Sequence, residues 1–104
     1  MHRMAISIQR GKQTVHIKLA GDIDMEWRDQ HQPELDALCA SLPQEVIFNL
    51  EDVTFMDSSG LGFIARCVRR DDNPDRTVQI VGATDIVRQA LNVVGLERYV
   101  ALAD

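Results

Sequence analysis

The residues best suited to chemistry in this sequence lie together in one short segment, Asp57-Ser58-Ser59-Gly60-Leu61-Gly62. The segment follows an apolar, strand-like run and precedes a run with helical periodicity, so we expect it at a helix N-terminus. Free backbone N–H groups and the positive end of the helix dipole make such a position favourable for an anion. A serine at this place can cap the helix, act as a nucleophile or accept a phosphate.

The rest of the sequence argues against catalysis by these serines. Their spacing is not the G-x-S-x-G of a nucleophile elbow, and the histidines His2, His16 and His31 are scattered along the chain. An NTP-binding loop is also excluded, because no Gly-Lys-Ser/Thr follows the glycines. We therefore expect a chain without catalytic activity and without a cofactor.

Three acidic residues, Asp22, Asp24 and Asp57, follow predicted strands and could converge at one end of the sheet. They could form a metal site, but carboxylates at such positions more often cap helices or lie in solvated turns. We interpret them as caps and turn residues and expect no bound metal.

Length and charge limit the classes of function. A chain of 104 residues with 45% hydrophobic residues is expected to form a single globular domain, 1–104. The net charge of −5 argues against nucleic acid or an anionic membrane as the main partner, because both attract basic surfaces. The sequence has no apolar run of about 18 residues and no signal-peptide pattern, so we expect a cytoplasmic protein.

Five segments have the pattern of strands. Alternation at residues 4–8 and 15–19, around a turn at 10–13, predicts a hairpin whose second strand ends at residues 21–24. The apolar run at residues 46–50 is typical of a strand covered on both faces. Strands are also predicted at residues 78–81 and, at the end of the chain, around Tyr99, Val100 and Leu102.

Three segments have helical periodicity. Their buried faces are expected to consist of Leu35, Leu38, Cys39 and Leu42 in the first, Leu61, Ile64, Ala65 and Val68 in the second, and Ile86, Val87, Ala90, Leu91 and Val94 in the third. Pro33 suits the first position of the first helix, and residues 25–32 are either an extra helical turn or an irregular arm. Thr84 is the expected cap of the third helix, and Gly95 its left-handed end.

The order of these elements is strand, strand, helix, strand, helix, strand, helix, strand. It predicts an α/β layered domain with a mixed sheet, in which an antiparallel hairpin is followed by strands linked through right-handed crossovers. The two cysteines, Cys39 and Cys67, fall within helical patterns and form no CxxC pair. We interpret them as buried structural thiols rather than as a disulfide or metal ligands.

The frame around the two serines resembles a known signature. The segment Leu50-Glu51-Asp52-Val53-Thr54-Phe55-Met56-Asp57-Ser58-Ser59-Gly60-Leu61-Gly62 is similar to that of the STAS domain (sulfate transporter and anti-sigma factor antagonist), in particular of the stand-alone bacterial anti-sigma factor antagonists. Residues 21–24 resemble the family's G-x-hydrophobic-D motif, and residues 95–99 its G-L-x-x-hydrophobic ending. The chain departs from the family pattern at Asn49, where members often carry Asp, and in the bulky, polar stretch 25–32.

The resemblance implies a function and a set of residues. In the family the second residue of the serine pair accepts a phosphate, which corresponds to Ser59 in this sequence. The unphosphorylated chain would bind a serine-kinase anti-sigma factor and free a sigma factor, and a PPM-type phosphatase would reverse the phosphorylation. The implied partner-binding surface comprises Asp24, Asp57, Ser58, Ser59, Gly60, Leu61, Gly62 and Phe63. The alternative is a STAS subunit of a membrane transporter complex or a signalling scaffold, which would not act on a sigma factor.

Four residues near this segment have two interpretations each. Trp27 is either a core anchor or a partner contact, and Phe63 is either exposed beside Ser59 or buried. Gly60 is expected to have either a positive φ or a partner in close approach. Gly62 lies where glycine is unfavourable in a helix, which suggests a close approach by backbone or by a partner.

Overall fold

Alternating apolar residues build a central five-stranded sheet in the computed structural model, which describes residues 5–69 and 73–103. The strands are β1 (Ala5–Arg10), β2 (Thr14–Ile23), β3 (Glu45–Met56), β4 (Thr77–Val81) and β5 (Ala101–Ala103). They lie side by side in the order β1-β2-β3-β4-β5, with β1 antiparallel to β2 and the other pairs parallel. The predicted mixed sheet is confirmed, whereas His2 and Met4 lie outside the described residues.

The main core lies against one face of this sheet. The parallel register pairs Val15 with Val46 and Val46 with Val78, so these buried side chains point the same way from β2, β3 and β4. Ile47 points to the opposite face and is only half-buried. We expected both faces of β3 to be covered. This was wrong for the face that carries Ile47, which is only partly buried.

The helices are α1 (Met25–Ala40), α2 (Ser58–Val68) and α3 (Asp85–Val93), followed by a short 3₁₀ helix at Leu96–Tyr99. All three α-helices contribute buried residues to the same core cluster as the strands. The predicted α/β arrangement is confirmed. Among the described residues, no helix combines the length and the apolar character needed to cross a membrane.

Helix α1 begins earlier than the sequence pattern indicated. Its N-cap is Asp24, so residues 25–32 are helical and Pro33 lies inside the helix instead of at its start. The prediction for Pro33 was wrong because Trp27 is buried and extends the apolar stripe of Leu35 and Leu38 backwards by two turns. Tertiary burial of one large side chain outweighs the hydrogen bond that a proline removes.

The buried faces of α2 and α3 also differ from their predicted stripes. In α2 the buried residues include Phe63 and Cys67, whereas Leu61 is only half-buried. In α3 Val87 and Leu91 are buried, but Ile86 is 57% and Val94 52% exposed, so the prediction that these two point inward was wrong. In α3 the buried stripe is narrower than predicted, whereas in α2 it is shifted toward Phe63 and Cys67 and has six buried residues.

Both ends of α3 agree with the sequence prediction. Thr84 caps the helix through a hydrogen bond that its Oγ1 accepts from the Val87 backbone N–H, at 3.4 Å. Gly95 follows the helix with φ 77°, and its N–H donates to the Asn92 carbonyl at 3.0 Å. This is one of the two bonds of a Schellman motif, which uses glycine because φ is positive.

A buried arginine joins the C-terminal ends of α1 and α2. Arg76 donates hydrogen bonds to the carbonyls of Leu42 at 3.3 Å and Pro43 at 3.1 Å, just beyond α1, and of Arg69 at 2.7 Å, the C-cap of α2. A guanidinium suits this position because carbonyls and the negative ends of two helix dipoles converge there. No sequence pattern pointed to this residue, since the carbonyls of Leu42 and Pro43 are 34 and 33 residues away in the sequence.

Candidate functional site

The serine pair lies at the first turn of α2, as the sequence predicted. Asp57 is the N-cap, and its Oδ1 accepts a hydrogen bond from the Ser59 backbone N–H at 2.7 Å. The cap is therefore an aspartate, and neither serine performs this role. Both hydroxyls remain available for other interactions.

The second acidic residue of the site caps the neighbouring helix. Asp24 Oδ1 accepts a hydrogen bond from the Trp27 backbone N–H at 3.0 Å. Ile23 of β2 pairs in register with Met56 of β3, so the caps that follow these strands lie at the same edge of the sheet. Asp22 accepts a hydrogen bond from the Thr54 hydroxyl at 2.7 Å. Within residues 5–69 and 73–103 no cluster of three potential metal ligands occurs.

The two serines differ in exposure. Ser58 is exposed, whereas Ser59 is 8% exposed and contributes to the wall of a half-open cavity of about 200 Å³ between α1 and α2. The cavity is lined by Arg28, Gln32, Leu35, Ser58, Ser59, Gly62, Phe63 and Arg66. Two arginines therefore line the same cavity as Ser59, and each has a surface carboxylate nearby: Asp29 for Arg28 at 3.5 Å and Asp36 for Arg66 at 3.1 Å.

The two glycines of the motif have different surroundings. A Cβ added to Gly60 would lie 2.7 Å from Met56 Cγ and 2.8 Å from Ile23 Cγ2, so this position is closed by the core. Gly60 is helical and its φ is not positive, contrary to one of the two interpretations. A Cβ on Gly62 would meet no atom within 4 Å. A close approach of this chain's own backbone to Gly62 is therefore ruled out, and approach by a partner stays a prediction.

The two aromatic residues with alternative interpretations are both in the core. Trp27 is fully buried and Phe63 is 3% exposed. The Phe63 ring lies with its centroid 5.8 Å from those of Trp27 and Phe48, and it meets Phe48 edge to face at 87°. Phe63 is thus a core residue that packs beneath α2 and is not exposed beside Ser59.

An exposed apolar groove between α2 and α3 was missed by the sequence analysis. It begins at the serine turn and is lined by Ser58, Leu61, Gly62, Ala65, Val94 and Leu96. On the α3 side it continues over Ile86 and over Val93, which is 78% exposed. The available signal was that Ile86 and Val93 are seven residues apart and so lie on one side of α3, whereas Val87 and Leu91 are one turn apart on the side that is buried.

The comparisons with known proteins agree with this fold. An anti-sigma-B factor antagonist of Staphylococcus aureus is 27% identical over 85 residues, which cover 78% of this chain and 75% of that protein. An anti-sigma factor antagonist from Mycobacterium paratuberculosis has a similar structure, with a TM-score of 0.80, 19% identity and coverage of 96% of this chain and 85% of the other. The phosphorylated form of the Bacillus cell fate determinant SpoIIAA gives a TM-score of 0.72 at 22% identity, covering 96% of this chain and 92% of the other.

The five-stranded mixed sheet, with three helices and a capped serine turn, places the molecule in the class of SpoIIAA-like α/β domains. Residues 5–104 match the STAS domain family. The chain belongs to this family, and the resemblance seen in the sequence is confirmed.

Proposed function

We propose that this chain is an anti-sigma factor antagonist whose switch residue is Ser59. In the unphosphorylated state it binds a serine-kinase anti-sigma factor and thereby releases a sigma factor. The kinase then phosphorylates Ser59, the two proteins separate, and a PPM-type phosphatase restores the binding form. This role requires neither catalytic activity nor a cofactor in this chain, and it is exercised in the cytoplasm.

The observation that carries the proposal is the position of Ser59 between a cationic cavity and an apolar groove. Ser59 lines the cavity together with Arg28 and Arg66, and the neighbouring Ser58 and Gly62 line both the cavity and the groove. A modification of Ser59 therefore occurs within one helical turn of an exposed apolar surface. Such surfaces on α/β domains commonly bind other proteins.

Phosphorylation would act on the two neighbouring regions in opposite ways. A phosphoryl group adds about −1.5 to −2 charges at neutral pH, which the helix N-terminus and two arginines can accommodate. The same charge beside a groove occupied by a partner would cost several kcal/mol through repulsion and desolvation. Each 1.4 kcal/mol changes the affinity about tenfold, so one phosphate can abolish binding while the fold persists.

The proposed docking surface is formed by the first turn of α2 and the groove beside it. Its members are Asp24, Asp57, Ser58, Ser59, Gly60, Leu61 and Gly62, extended by Ile86, Val93 and Val94 of α3. Phe63 contributes from within the core by holding α2 in place. The named function of the Staphylococcus aureus relative favours this role over that of a transporter or scaffold subunit.

The direct test is phosphosite mapping. The purified chain is incubated with ATP and the serine-kinase anti-sigma factor of its own organism, and the product is analysed by mass spectrometry. Wild type and Ser58→Ala are expected to acquire one phosphate on Ser59, whereas Ser59→Ala is expected to acquire none and still bind the kinase. Phosphate on Ser58 alone would assign the switch to the more exposed serine, and absence of phosphate on both would contradict the mechanism.

A further inference from the structure

The cavity beside Ser59 is lined by positive charge. It has a volume of about 200 Å³, and its eight described lining residues include two arginines and no aspartate or glutamate. Arg28 and Gln32 come from α1, and Ser59 and Arg66 come from α2. The space therefore lies between two helices, each of which contributes one guanidinium group.

Helix geometry places both arginines near Ser59. Arg28 is four residues after the cap of α1, and Ser59 is two residues after the cap of α2. The strands before these caps end at the same edge of the sheet, so the two residues lie at similar levels. Arg66 is seven residues after Ser59, which is two helical turns and about 10.5 Å along the axis. A long helical side chain leans toward the N-terminus of its helix, so the side chain of Arg66 extends back toward Ser59.

The present partners of the two arginines are weak competitors for an anion in this cavity. Arg66 Nη1 donates a hydrogen bond to Asp36 Oδ1 at 3.1 Å, and the same oxygen accepts one from Gln32 at 2.8 Å. Arg28 lies 3.5 Å from Asp29, its neighbour in the chain. The four charged side chains are between 42% and 67% exposed, and such ion pairs are weak because water screens them. A phosphoryl dianion can therefore displace either carboxylate.

We propose that a phosphoryl group on Ser59 is bound within the same chain by Arg28 and Arg66, which forms a phosphate bridge between α1 and α2. The inference rests on the proposed phosphorylation of Ser59, in which the serine oxygen takes the γ-phosphoryl group of ATP, and ADP and a proton are released. Arg66 then exchanges Asp36 for the phosphate, while Asp36 keeps its bond to Gln32. A phosphate opposite a pair of arginines gains about 1–3 charge-assisted hydrogen bonds.

The bridge would prolong the phosphorylated state of the switch. Ser59 is only 8% exposed and lines the cavity, so a group attached to its side chain lies within that space. There the arginines favour the dianionic form of the phosphate and shield it from a phosphatase. The phosphorylated chain should therefore be dephosphorylated slowly, and its two helices should be joined by a contact that the unphosphorylated chain lacks.

The first experiment measures the ionisation of the phosphate itself. Phosphoserine is incorporated at position 59 during expression, so no kinase is needed, and its phosphorus NMR signal is followed against pH. The second pKa of a free phosphoserine is about 6, and the two arginines should lower it by about one unit or more. A reducing agent is included because Cys39 is only half-buried, so the interpretation of both cysteines as buried thiols is correct for Cys67 alone.

Matched variants assign the shift to the arginines. Arg28→Gln and Arg66→Gln are each expected to raise the phosphate pKa toward the free value, because each removes one positive charge from the cavity. Arg98→Gln, at an exposed position, should leave it unchanged. The carboxylates of Asp24 and Asp57, which cap the two helices, oppose the shift and are present in every variant.

The proposal is overturned if the wild-type phosphate titrates with a pKa of about 6, or if both glutamine variants keep the wild-type value. A shift in only one of them would contradict a bridge between two helices. The wild-type titration needs no substitution, so a variant that fails to fold leaves the test intact. Failure of the proposed function would instead be seen as absence of phosphate on Ser59 after incubation with the kinase, and it would not alter this titration.

A second measurement tests the exchange of partners at Arg66. Asp36→Asn removes the carboxylate that competes with the phosphate, so the phosphate pKa should fall below the wild-type value, opposite in direction to the effect of Arg66→Gln. Asp75→Asn, in an exposed loop, is the control for the loss of one negative charge. Equal shifts in Asp36→Asn and Asp75→Asn would show that only the net charge matters and would contradict the exchange.

A third measurement tests the shielding of the phosphate. The chain with phosphoserine at position 59 is treated with a broad-specificity phosphatase, and release of phosphate is followed over time in wild type and in Arg28→Gln, Arg66→Gln and Arg98→Gln. The first two variants should lose their phosphate faster than wild type, and Arg98→Gln at the wild-type rate. Equal rates in all four proteins would overturn the proposal that the arginines hold the phosphate in the cavity.

Discussion

The two ends of α2 carry different chemistry and are held in place in different ways. At the N-terminal end, local hydrogen bonds dominate: Asp57 caps the helix that it precedes, and the serines follow directly in the chain. At the C-terminal end, Arg76 binds the carbonyl of Arg69, the C-cap of α2, together with the carbonyls of Leu42 and Pro43 beyond α1. The first end is held mainly by a bond between residues close in sequence, whereas the second end depends on long-range contacts.

We therefore expect substitutions at the C-terminal end of α2 to lower the free energy of unfolding more than those at its N-terminal end. Arg76→Met keeps most of the side-chain volume but leaves the carbonyls of Leu42, Pro43 and Arg69 without this donor. Buried acceptors that lose a charged donor cost about 1–3 kcal/mol each, and such losses are not additive, so we expect a loss of about 2–4 kcal/mol. Urea denaturation of wild type and variant gives the free energy of unfolding. Arg98→Met at an exposed position is the control and should stay within about 0.5 kcal/mol.

The next largest effect on stability is expected at Gly60, and an effect of opposite sign is expected at Gly62. Gly60→Ala places a Cβ against the buried Met56 and Ile23 side chains, and overpacking of this kind costs about 1–3 kcal/mol. Gly62→Ala meets open space and should raise the stability by about 0.5–1 kcal/mol, because alanine is the better helix former. Thermal denaturation of both variants measures this contrast. Equal effects at the two positions would show that the core does not close on Gly60.

Gly62→Ala also tests the docking surface. If the anti-sigma factor contacts the exposed first turn of α2, the added methyl group should weaken its binding while the variant remains stable. Calorimetric titration of wild type and variant with the kinase measures the affinity. If the variant is more stable and binds as tightly as wild type, the first turn of α2 is not part of the docking surface.

The cap at the N-terminal end should have a smaller effect on stability. Asp57→Ala removes the acceptor for the Ser59 N–H and is expected to cost about 1 kcal/mol, as is usual for an N-cap. Asp75→Ala, in an exposed loop, serves as the control for the loss of one negative charge. If the two variants lose the same stability, the net charge and not the cap would be responsible.

The smallest effect on stability is expected from Ser59→Asp. The cavity beside Ser59 has room for the longer side chain, and the helix N-terminus and nearby arginines favour its charge, so the free energy of unfolding should change by less than about 0.5 kcal/mol. Binding to the kinase should weaken at least about tenfold, which corresponds to 1.4 kcal/mol. Ser59→Asn has the same shape without the charge and should bind more tightly than Ser59→Asp. Equal affinities of the two variants would mean that size rather than charge controls the switch.

Several features could be predicted from the sequence because they depend on neighbouring residues. Alternation predicts the strands, Thr84 and Gly95 mark the limits of α3, and the serine segment is recognisable as a helix start after a strand. The same local information predicts that Asp24 and Asp57 act as caps, and the register of Ile23 with Met56 confirms that their strands end together. Caps and turns follow local rules, so a linear pattern is sufficient for them.

Other features were decided only in three dimensions. The sequence could not determine whether Phe63 or Leu61 enters the core, because both lie within about one helical turn and the nearby Trp27 and Phe48 select Phe63. It also favoured Pro33 as the first residue of α1 and left residues 25–32 undecided, whereas the burial of Trp27 makes them helical.

By itself, then, the amino-acid sequence determined the order of the strands and helices, the family, and a serine pair at a helix N-terminus. The tertiary structure alone decided that Ser59 lines a cavity with two arginines, that α3 exposes an apolar groove beside it, and that Arg76 joins the ends of α1 and α2. The physical reason is that these features join side chains from segments far apart in sequence. Their proximity depends on how the helices pack on the sheet, which no local pattern records.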